Sequence, residues 1–301
     1  MTDLLASLEH HRRLVATPQG RVSLLDLGTG PVALFVHGAG TNAYLWRHAI
    51  TALAGPRRRC VAIDLPLHGG SPVHDDQPFG IAAFADLLEA VCVELDLNGI
   101  DLVANDTGGA VAQVFAASCP GRVRTLVLTN CETHDNVPPR AFKSTIRLAR
   151  AGVLRRTGPR LLRDPERARR VVFGSGYETV ERLPLEIVRS FLDPVLGTRE
   201  RARRFERWLT SLHARDLLAV EPALRRMSAP TLIVWGTGDR FFDVKWAHWL
   251  AATLPNVSGL IELPGARLFF PDERAGELVE QLQRHWQAGS QARPAPGREA
   301  A

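Results

Sequence analysis

The sequence predicts an α/β fold built on a mostly parallel, doubly wound sheet with an inserted helical segment. Short apolar runs alternate along the chain with longer stretches of helical spacing, which is the pattern of successive βαβ units. Runs such as Val32–Val36 are continuously apolar, as is typical of parallel strands that helices cover on both faces. Between residues 135 and 215 the alternation stops and no strand pattern is found. These observations indicate a core sheet that a helical insertion interrupts.

The individual elements follow from the apolar runs and from the turn-forming residues between them. A short helix is expected at Thr2–Arg13, and Pro18-Gln19-Gly20 separates the first two strands. Eight strands are expected, at Arg12–Thr17, Val22–Leu27, Val32–Val36, Arg59–Ile63, Leu102–Ala104, Val123–Leu128, Thr231–Trp235 and Val257–Leu263. Further helices are expected through Trp46 and Leu53, at Phe79–Leu95, from Ala110 onward, at Val244–Leu254 and at Asp272–Trp286.

This order divides the chain into a core and an insertion. We assign residues 1–134 and 216–287 to the core and residues 135–215 to a helical cap over the sheet. The last residues, 288–301, are rich in Ala, Pro, Gly and Gln, and we expect them to be disordered. Because parallel strands present ligand sites at their carboxyl ends, the substrate is expected between cap and sheet.

Composition excludes several classes of function. The 301 residues are 45% hydrophobic and 23% charged, which is an ordinary composition for a globular protein. No apolar run is long enough to span a membrane and the N-terminus lacks a signal-peptide core, so a cytoplasmic location is expected. The net charge is +5, but basic residues are not interleaved with aromatics, so no nucleic-acid partner is expected. The four cysteines form no CxxC pair, so we expect neither a disulfide framework nor a metal site.

One stretch, Leu102-Val103-Ala104-Asn105-Asp106-Thr107-Gly108-Gly109-Ala110, carries the main functional signal. An apolar run ends here in a polar, glycine-bearing corner, and an alanine-rich helical run follows. A strand that turns this sharply into a helix lifts the corner side chain, that of Asp106, above the sheet. It also directs the free N–H groups of the helix towards whatever binds there. The alternative interpretation is that Asp106 only caps the helix.

Together these motifs resemble those of the α/β-hydrolase superfamily over nearly the whole chain. Asp106 lies in a small-x-Asp-x-Gly-Gly frame that is similar to the nucleophile elbow of the aspartate branch, the haloalkane dehalogenases and epoxide hydrolases. The stretch from His37 to Arg47 resembles the loop after the third strand in dehalogenases, and Asp64-Leu65-Pro66 with Gly69–Ser71 resembles a further family motif. The resemblance implies an α/β-hydrolase fold and a hydrolytic enzyme without a cofactor.

The resemblance assigns a chemical role to Asp106. An aspartate with an ordinary pKa is ionised near pH 7 and can attack an electrophilic carbon directly, so that an alkyl ester forms on its side chain. Water then attacks the ester carbonyl, and the resemblance implies that the N–H groups of Ala39 and Thr107 stabilise the oxyanion. The remaining residues expected at the oxyanion and substrate site are His37, Gly38, Trp46, Leu268 and Phe269. For His37 the resemblance implies a structural hydrogen bond and not the role of a base.

Two acidic positions are candidates for a supporting role. Asp239 follows a strand in the Gly-x-x-Asp setting where the family places the acid that orients its histidine, although a turn-forming role is the alternative. Glu132 lies near the alternative acid position of some dehalogenases, but a direct alignment places Asn130 there.

The chain departs from the family at the catalytic histidine. The stretch from Gly265 to Glu273 is similar to the family's histidine loop, yet Leu268 stands where the histidine is expected. Leucine cannot accept a proton, and a general base contributes roughly 10²–10⁴ in rate. His134, at the junction of the sixth strand and the cap, is the substitute base that the sequence offers, with a surface or hinge residue as the alternative.

The substrate-binding positions also depart from both enzyme types. Thr107 and Ala39 stand where dehalogenases carry their halide-binding Trp and Asn, and the cap holds one tyrosine, Tyr177, where epoxide hydrolases use two. We therefore expect hydrolysis of an alkyl halide, epoxide or ester-like electrophile on a small, mostly apolar substrate. A lyase, isomerase or cyclase with Asp106 as acid–base, and a ligand receptor without activity, are the alternatives. A monomer or homodimer is expected.

Overall fold

A computed structural model describes residues 3–291 of the chain. Eight strands form one sheet in the order β1-β2-β4-β3-β5-β6-β7-β8. The pairs β1–β2 and β2–β4 are antiparallel, and every later pair is parallel, which confirms the predicted mostly parallel, doubly wound sheet. The strands are β1 Arg12–Thr17, β2 Gly20–Leu27, β3 Val32–Val36, β4 Arg59–Ile63, β5 Ile100–Asp106, β6 Val123–Cys131, β7 Thr231–Gly236 and β8 Val257–Leu263.

Helices connect the parallel strands and pack on the sheet. The core helices are α1 Asp3–Glu9, α2 Arg47–Leu53, α3 Ile81–Glu94, α4 Thr107–Ser118, α10 Arg215–Leu224, α11 Lys245–Thr253, α12 Phe270–Glu273 and α13 Ala275–Gln291. The central strand β5 is buried along its whole length, and the first ten residues of α4 are buried too. This double burial is the reason that the middle of β5, Leu102–Ala104, is an apolar run in the sequence.

The strand order places the site. From β3 the chain passes to β4 on one side and later to β5 on the other, so the connections diverge above the carboxyl ends of β3 and β5. Such a divergence opens a crevice at which α/β sheets bind ligands. Asp106 ends β5 at this point and pairs with Cys131 at the end of β6.

The insertion between β6 and β7 is helical in the structure, as its sequence predicts. It contains α5 Lys143–Arg150, α6 Leu154–Leu161, α7 Pro165–Ala168, α8 Leu185–Leu196 and α9 Arg199–Leu209, with a π-helical turn at Arg169–Phe173. The next helix, α10, packs on α4 of the core. Since α10 begins at Arg215, we propose the same division between core and cap that the sequence suggests.

Several predicted boundaries are wrong. The first helix ends at Glu9 because the following residues pair with β2. The last helix continues to Gln291, whereas the sequence predicts its end near Trp286; residues 292–301 of the predicted disordered tail lie outside the described part. Cys60 and Cys92 are free and buried, as their apolar surroundings predict. In the described residues no helix combines the length and the apolar character that membrane crossing requires.

Candidate active site

Asp106 occupies a strained backbone conformation between β5 and α4. Its φ is 55° and its ψ is −136°, a region that residues with a side chain rarely adopt. The close approach of neighbouring backbone makes this corner possible: a Cβ on Gly108 would lie 2.3 Å from the carbonyl oxygen of His37. A Cβ on Gly38 would lie 2.4 Å from the Cβ of Asp106. The glycines of the two loops therefore allow the corner to form, as the elbow interpretation predicts.

The Asp106 carboxylate is held by backbone N–H groups. The N–H of Ala39 donates to Asp106 Oδ2 over 2.9 Å, and the N–H of Thr107 also hydrogen-bonds to the carboxylate. The Asp106 side chain accepts no capping hydrogen bond from the residues of the first turn of α4 that follow Thr107. The alternative that Asp106 merely caps this helix is therefore wrong. Both predicted oxyanion donors therefore bind the Asp106 carboxylate, and Ala39 does so at Oδ2.

A second carboxyl group, that of Glu132, lies beside Asp106. Thr107 Oγ1 donates to Glu132 Oε1 over 3.0 Å, and Gln113 Nε2 donates to the Glu132 carbonyl oxygen over 2.8 Å. The Glu132 residue is 2% exposed, and its Oε2 atom is buried without a hydrogen-bond partner among the described residues. The side chain is thus fixed through one oxygen and free at the other.

The third carboxyl group belongs to Asp239, after β7. Asn130 Nδ2 donates to Asp239 Oδ2 over 2.7 Å, and the N–H of Phe241 donates to Oδ1 over 2.7 Å. Asn130 is itself fixed, because its Oδ1 accepts the N–H of Gly236 over 2.7 Å. Asp239 is therefore oriented by its own turn and by the end of β6.

Burial raises the pKa of all three groups. For Asp106 desolvation is the main cause, and together with the Asp239 charge it raises the pKa to about 7, against the opposing hydrogen bonds from Ala39 and Thr107. Desolvation raises the pKa of Asp239 to about 6. Desolvation and the Asp106 charge raise the pKa of Glu132 well above its ordinary range. The expectation of a fully ionised Asp106 near pH 7 is therefore wrong, because that expectation used the pKa of a solvated aspartate.

The loop that carries Leu268 lies against this cluster and is tied to the cap. The carbonyl oxygen of Leu268 accepts Asn105 Nδ2 over 3.1 Å, directly before Asp106. The next residue, Phe269, donates its N–H to the carbonyl oxygen of Gly176 over 2.9 Å, and its ring lies 5.1 Å from that of Tyr177. Leu268 and Phe269 are 4% and 5% exposed. The position expected for a histidine is thus an apolar, buried contact between core and cap.

Two predicted site residues, His37 and Trp46, make contacts that hold the fold together. His37 Nε2 accepts the N–H of Leu65 over 2.9 Å, and its Nδ1 lies 2.8 Å from the Gly38 carbonyl oxygen. Desolvation lowers the pKa of His37 to about 4, so the ring is neutral and joins two loops. Trp46 is fully buried, with its ring 5.3 Å from that of Phe35. These contacts favour packing roles for both side chains.

His134, the predicted substitute base, lies in a different environment from Asp106. Its Nδ1 is 2.7 Å from Glu221 Oε2, and its ring stacks on Trp249 with the centroids 4.7 Å apart. Within the described residues no histidine hydrogen-bonds to Asp106. The base role of His134 stays a prediction, and its contacts favour the alternative of a hinge residue.

The sequence-based site omitted Glu132 and Asn130 from its residues. The sequence offers Glu132 and Asn130 only as alternatives for the position of a single acid after β6. The spacing of apolar residues does not decide between these two positions. The bulge between Asn105 and Asp106 in the pairing of β5 with β6 changes the register at this point. As a result, Asn130 holds Asp239 while Glu132 reaches Thr107. No cluster of three metal-ligating side chains arranged to hold an ion occurs in residues 3–291.

Comparison with known proteins places the chain in a family. The alpha/beta hydrolase family model matches residues 33–281. A 2-hydroxy-6-oxononadienedioate/2-hydroxy-6-oxononatrienedioate hydrolase of Burkholderia vietnamiensis is 29% identical over 78% of this chain and 81% of its own length. Haloalkane dehalogenase 2 of Mycobacterium bovis is 28% identical over 88% and 92%.

Solved structures agree on the fold. A putative lipase of Acinetobacter baumannii superposes with a TM-score of 0.81 at 16% identity, covering 97% of this chain and 98% of its own. A putative ancestral haloalkane dehalogenase superposes with a TM-score of 0.76 at 26% identity, covering 93% and 100%. The predicted α/β-hydrolase fold is confirmed, and the relatives' names confirm the predicted enzyme class. The family model covers most of the chain, and the chain therefore belongs to the alpha/beta hydrolase family.

Proposed function

We propose that the protein hydrolyses a small, mostly apolar electrophile through a covalent ester on Asp106. The observation that carries this proposal is the position of Asp106 Oδ2, which accepts the Ala39 N–H over 2.9 Å while the Thr107 N–H also binds the carboxylate. With Oδ2 engaged, Oδ1 is the oxygen that can attack. Two relatives carry the names of a dienedioate hydrolase and a haloalkane dehalogenase, which is in keeping with hydrolytic chemistry on organic substrates.

In the first step Asp106 Oδ1 forms a bond to the substrate carbon. The bond between that carbon and its leaving atom breaks, and the leaving atom takes the electron pair. The step requires ionised Asp106, whose pKa is raised to about 7. The rate of ester formation should therefore rise as the pH increases through about 7 and become constant above it. A rate that is flat from pH 5 to pH 8 would contradict this assignment.

In the second step water adds to the ester carbonyl carbon of Asp106. The former Oδ2 becomes the oxyanion, and it already accepts the Ala39 N–H, so this donor needs no rearrangement; the Thr107 N–H is the second donor at this carboxylate. Each such donor is worth about 10²–10³ in rate. Collapse of the tetrahedral intermediate releases the alcohol product and leaves one oxygen from water in the Asp106 carboxylate.

The burial of the site limits the substrate. Asp106 is 7% exposed, and the nearby loop presents the apolar side chains of Leu268 and Phe269. A large or highly charged substrate would have to displace this packing and would lose hydration without a charged partner. We therefore propose a compact, neutral substrate between cap and sheet.

A single-turnover experiment in ¹⁸O-labelled water tests the proposal. The wild-type protein is incubated in excess over a panel of alkyl halides and epoxides, and both protein and product are analysed by mass spectrometry. Ester chemistry predicts ¹⁸O in the peptide that contains Asp106 and none in the first product molecule. Asp106→Asn should form no adduct. Label found in the product alone would contradict the covalent route and indicate direct attack by water on the substrate.

The raised pKa of Asp106 also favours a second candidate function. A carboxyl group with a pKa of about 7 is well suited to give and accept protons near neutral pH, as a lyase, isomerase or cyclase would require. Such an enzyme would incorporate no oxygen from labelled water into protein or product. The same experiment therefore separates the two functions.

A further inference from the structure

We propose that Glu132 replaces the family histidine as the proton-transfer residue of this site, acting first as acid and then as base. In ester formation it gives its proton to a leaving oxygen, and in ester hydrolysis it takes a proton from the attacking water. This inference rests on the function proposed above and adds the residue and the type of leaving group that complete it.

The position of Glu132 supports this role. It directly follows Cys131, which pairs with Asp106 across β5 and β6, and Thr107 Oγ1 donates to its Oε1 over 3.0 Å. The backbone of Glu132 is fixed by Gln113. A hydrogen-bonded Oε1 and a buried Oε2 that is without a partner in the described residues leave one oxygen available for proton transfer. Burying a polar atom without a partner has a cost, so a functional reason is needed for its retention.

The charges around Glu132 fit an acid that becomes a base. Asp106 and Asp239 are the acidic groups that raise its pKa beyond the effect of burial, and Cys131 lies beside it as a thiol whose pKa is also raised well above its ordinary value. While Asp106 carries a negative charge, Glu132 holds its proton. When Asp106 becomes a neutral ester, that repulsion disappears and Glu132 can ionise.

The reaction balances for a substrate such as an epoxide. Asp106 Oδ1 bonds to the ring carbon, the carbon–oxygen bond of the ring breaks, and the released oxygen takes the Glu132 proton. The products of this step are the Asp106 ester, a hydroxyl group and the Glu132 carboxylate. In the second step the carboxylate takes one proton from water as the water oxygen attacks the ester carbonyl carbon. The bond from that carbon to the product oxygen then breaks, and the departing oxygen takes the second proton of the water, so that Asp106 becomes a carboxylate again and Glu132 an acid. The pair carries one negative charge before and after the cycle.

This cycle favours a leaving oxygen over a leaving halide. A halide ion departs without a proton, whereas an alkoxide needs one near neutral pH. At the two positions where dehalogenases bind halide, Ala39 has no donor side chain and the Thr107 hydroxyl already donates to Glu132. The inferred substrate class is therefore small epoxides. An alkyl halide forms the ester without the Glu132 proton, which Glu132 then releases to solvent before it acts as base.

The test compares wild type with Glu132→Gln, using styrene oxide and 1-bromohexane as probes. Ester formation on Asp106 and its disappearance are followed by intact mass and peptide mapping after rapid quenching. In Glu132→Gln we expect ring opening of styrene oxide to slow by about 10²-fold or more, because a general acid contributes about this much. The rate of alkylation by 1-bromohexane should change less than about threefold, because the departing bromide takes no proton from a general acid. The ester formed from 1-bromohexane should persist in this variant and disappear in the wild type.

Two further variants control for structural effects. Glu206→Gln makes the same change at a buried glutamate in the cap, where Arg155 is the partner, and should leave both ester rates at wild-type values. Thr107→Val removes the hydroxyl that binds Glu132 but retains the Thr107 N–H, and should lengthen the ester lifetime in the same direction as Glu132→Gln. This variant provides the test if Glu132→Gln does not fold.

The outcomes separate the two proposals. An ester that forms on Asp106 and disappears equally fast in wild type, Glu132→Gln and Thr107→Val overturns the role of Glu132 and leaves the covalent mechanism intact. The absence of an Asp106 ester in every protein, with both probes, overturns the covalent mechanism and the role of Glu132 together. A persistent ester in Glu132→Gln alone among the two glutamate variants supports the inference.

Discussion

Replacing Asp106 by asparagine should stabilise the folded protein, and the effect should depend on pH. The folded state raises the Asp106 pKa from 3.8 to about 7, mainly because burial disfavours the charged form. Between these values the folded protein binds a proton that the unfolded chain has lost, so the wild-type stability falls as the pH rises from about 4 to about 7. Asparagine is neutral at every pH and tolerates the positive φ of this corner.

The size of the stabilisation follows from the shift in the pKa of Asp106. A change of about three pKa units, at 1.36 kcal/mol each, corresponds to about 4 kcal/mol above pH 7. With an unfolding entropy of about 2.1 cal/mol/K per residue, a chain of 301 residues should gain about 6 °C in Tm. Near pH 4 the wild type is protonated at this position, and the difference should nearly vanish.

Thermal and urea unfolding of both proteins at pH 4.5 and pH 8 would measure this effect. Asp86→Asn, a change of the same type at an exposed residue of α3, serves as the control and should show no pH-dependent difference from wild type. If Asp106→Asn is as stable as wild type or less stable at pH 8, the carboxylate is stabilised in its charged form. The explanation of the raised pKa by desolvation would then be wrong.

Two other substitutions test the elbow and the missing histidine. Gly108→Ala should destabilise the protein by about 1–3 kcal/mol in urea unfolding, because the new Cβ would lie 2.3 Å from the His37 carbonyl oxygen; unchanged stability would contradict the tight elbow. Leu268→His should restore ester hydrolysis when it is combined with Glu132→Gln, by about 10²-fold relative to Glu132→Gln alone, since a general base supplies at least this factor. Rapid-quench mass spectrometry measures the ester lifetime, and an unchanged lifetime would show that position 268 does not face the ester.

Much of the fold could be predicted because it depends on local patterns. The strand at Val32–Val36 has the bounds that the sequence predicts. A short, continuously apolar segment is typical of a parallel strand that helices cover on both faces. The helical insertion after β6 could also be predicted, because residues 135–215 show no strand pattern. Ends of elements were less accurate: β5 extends to Asp106 because pairing with Cys131 continues past the apolar run.

The candidate site could be predicted in part for the same reason. Asp106 and Ala39 were identified from adjacent residues, and their 2.9 Å contact joins the two stretches that the motifs had marked. Trp46 was assigned to the substrate site by its place in a loop motif, but its contacts lie in the core against Phe35. Sequence proximity to a motif cannot tell which face of a loop a side chain occupies.

The sequence by itself determined the strand–corner–helix unit with an aspartate at the corner, and it carries the prediction that Leu268 stands where the family has histidine. These are local features, set by residue type, glycine placement and apolar spacing. Only the tertiary structure decided that Glu132 lies beside Asp106, that Asn130 holds Asp239, and that burial raises the Asp106 pKa to about 7. Those properties depend on strand register and on the water that packing removes, and both arise from residues distant in the chain.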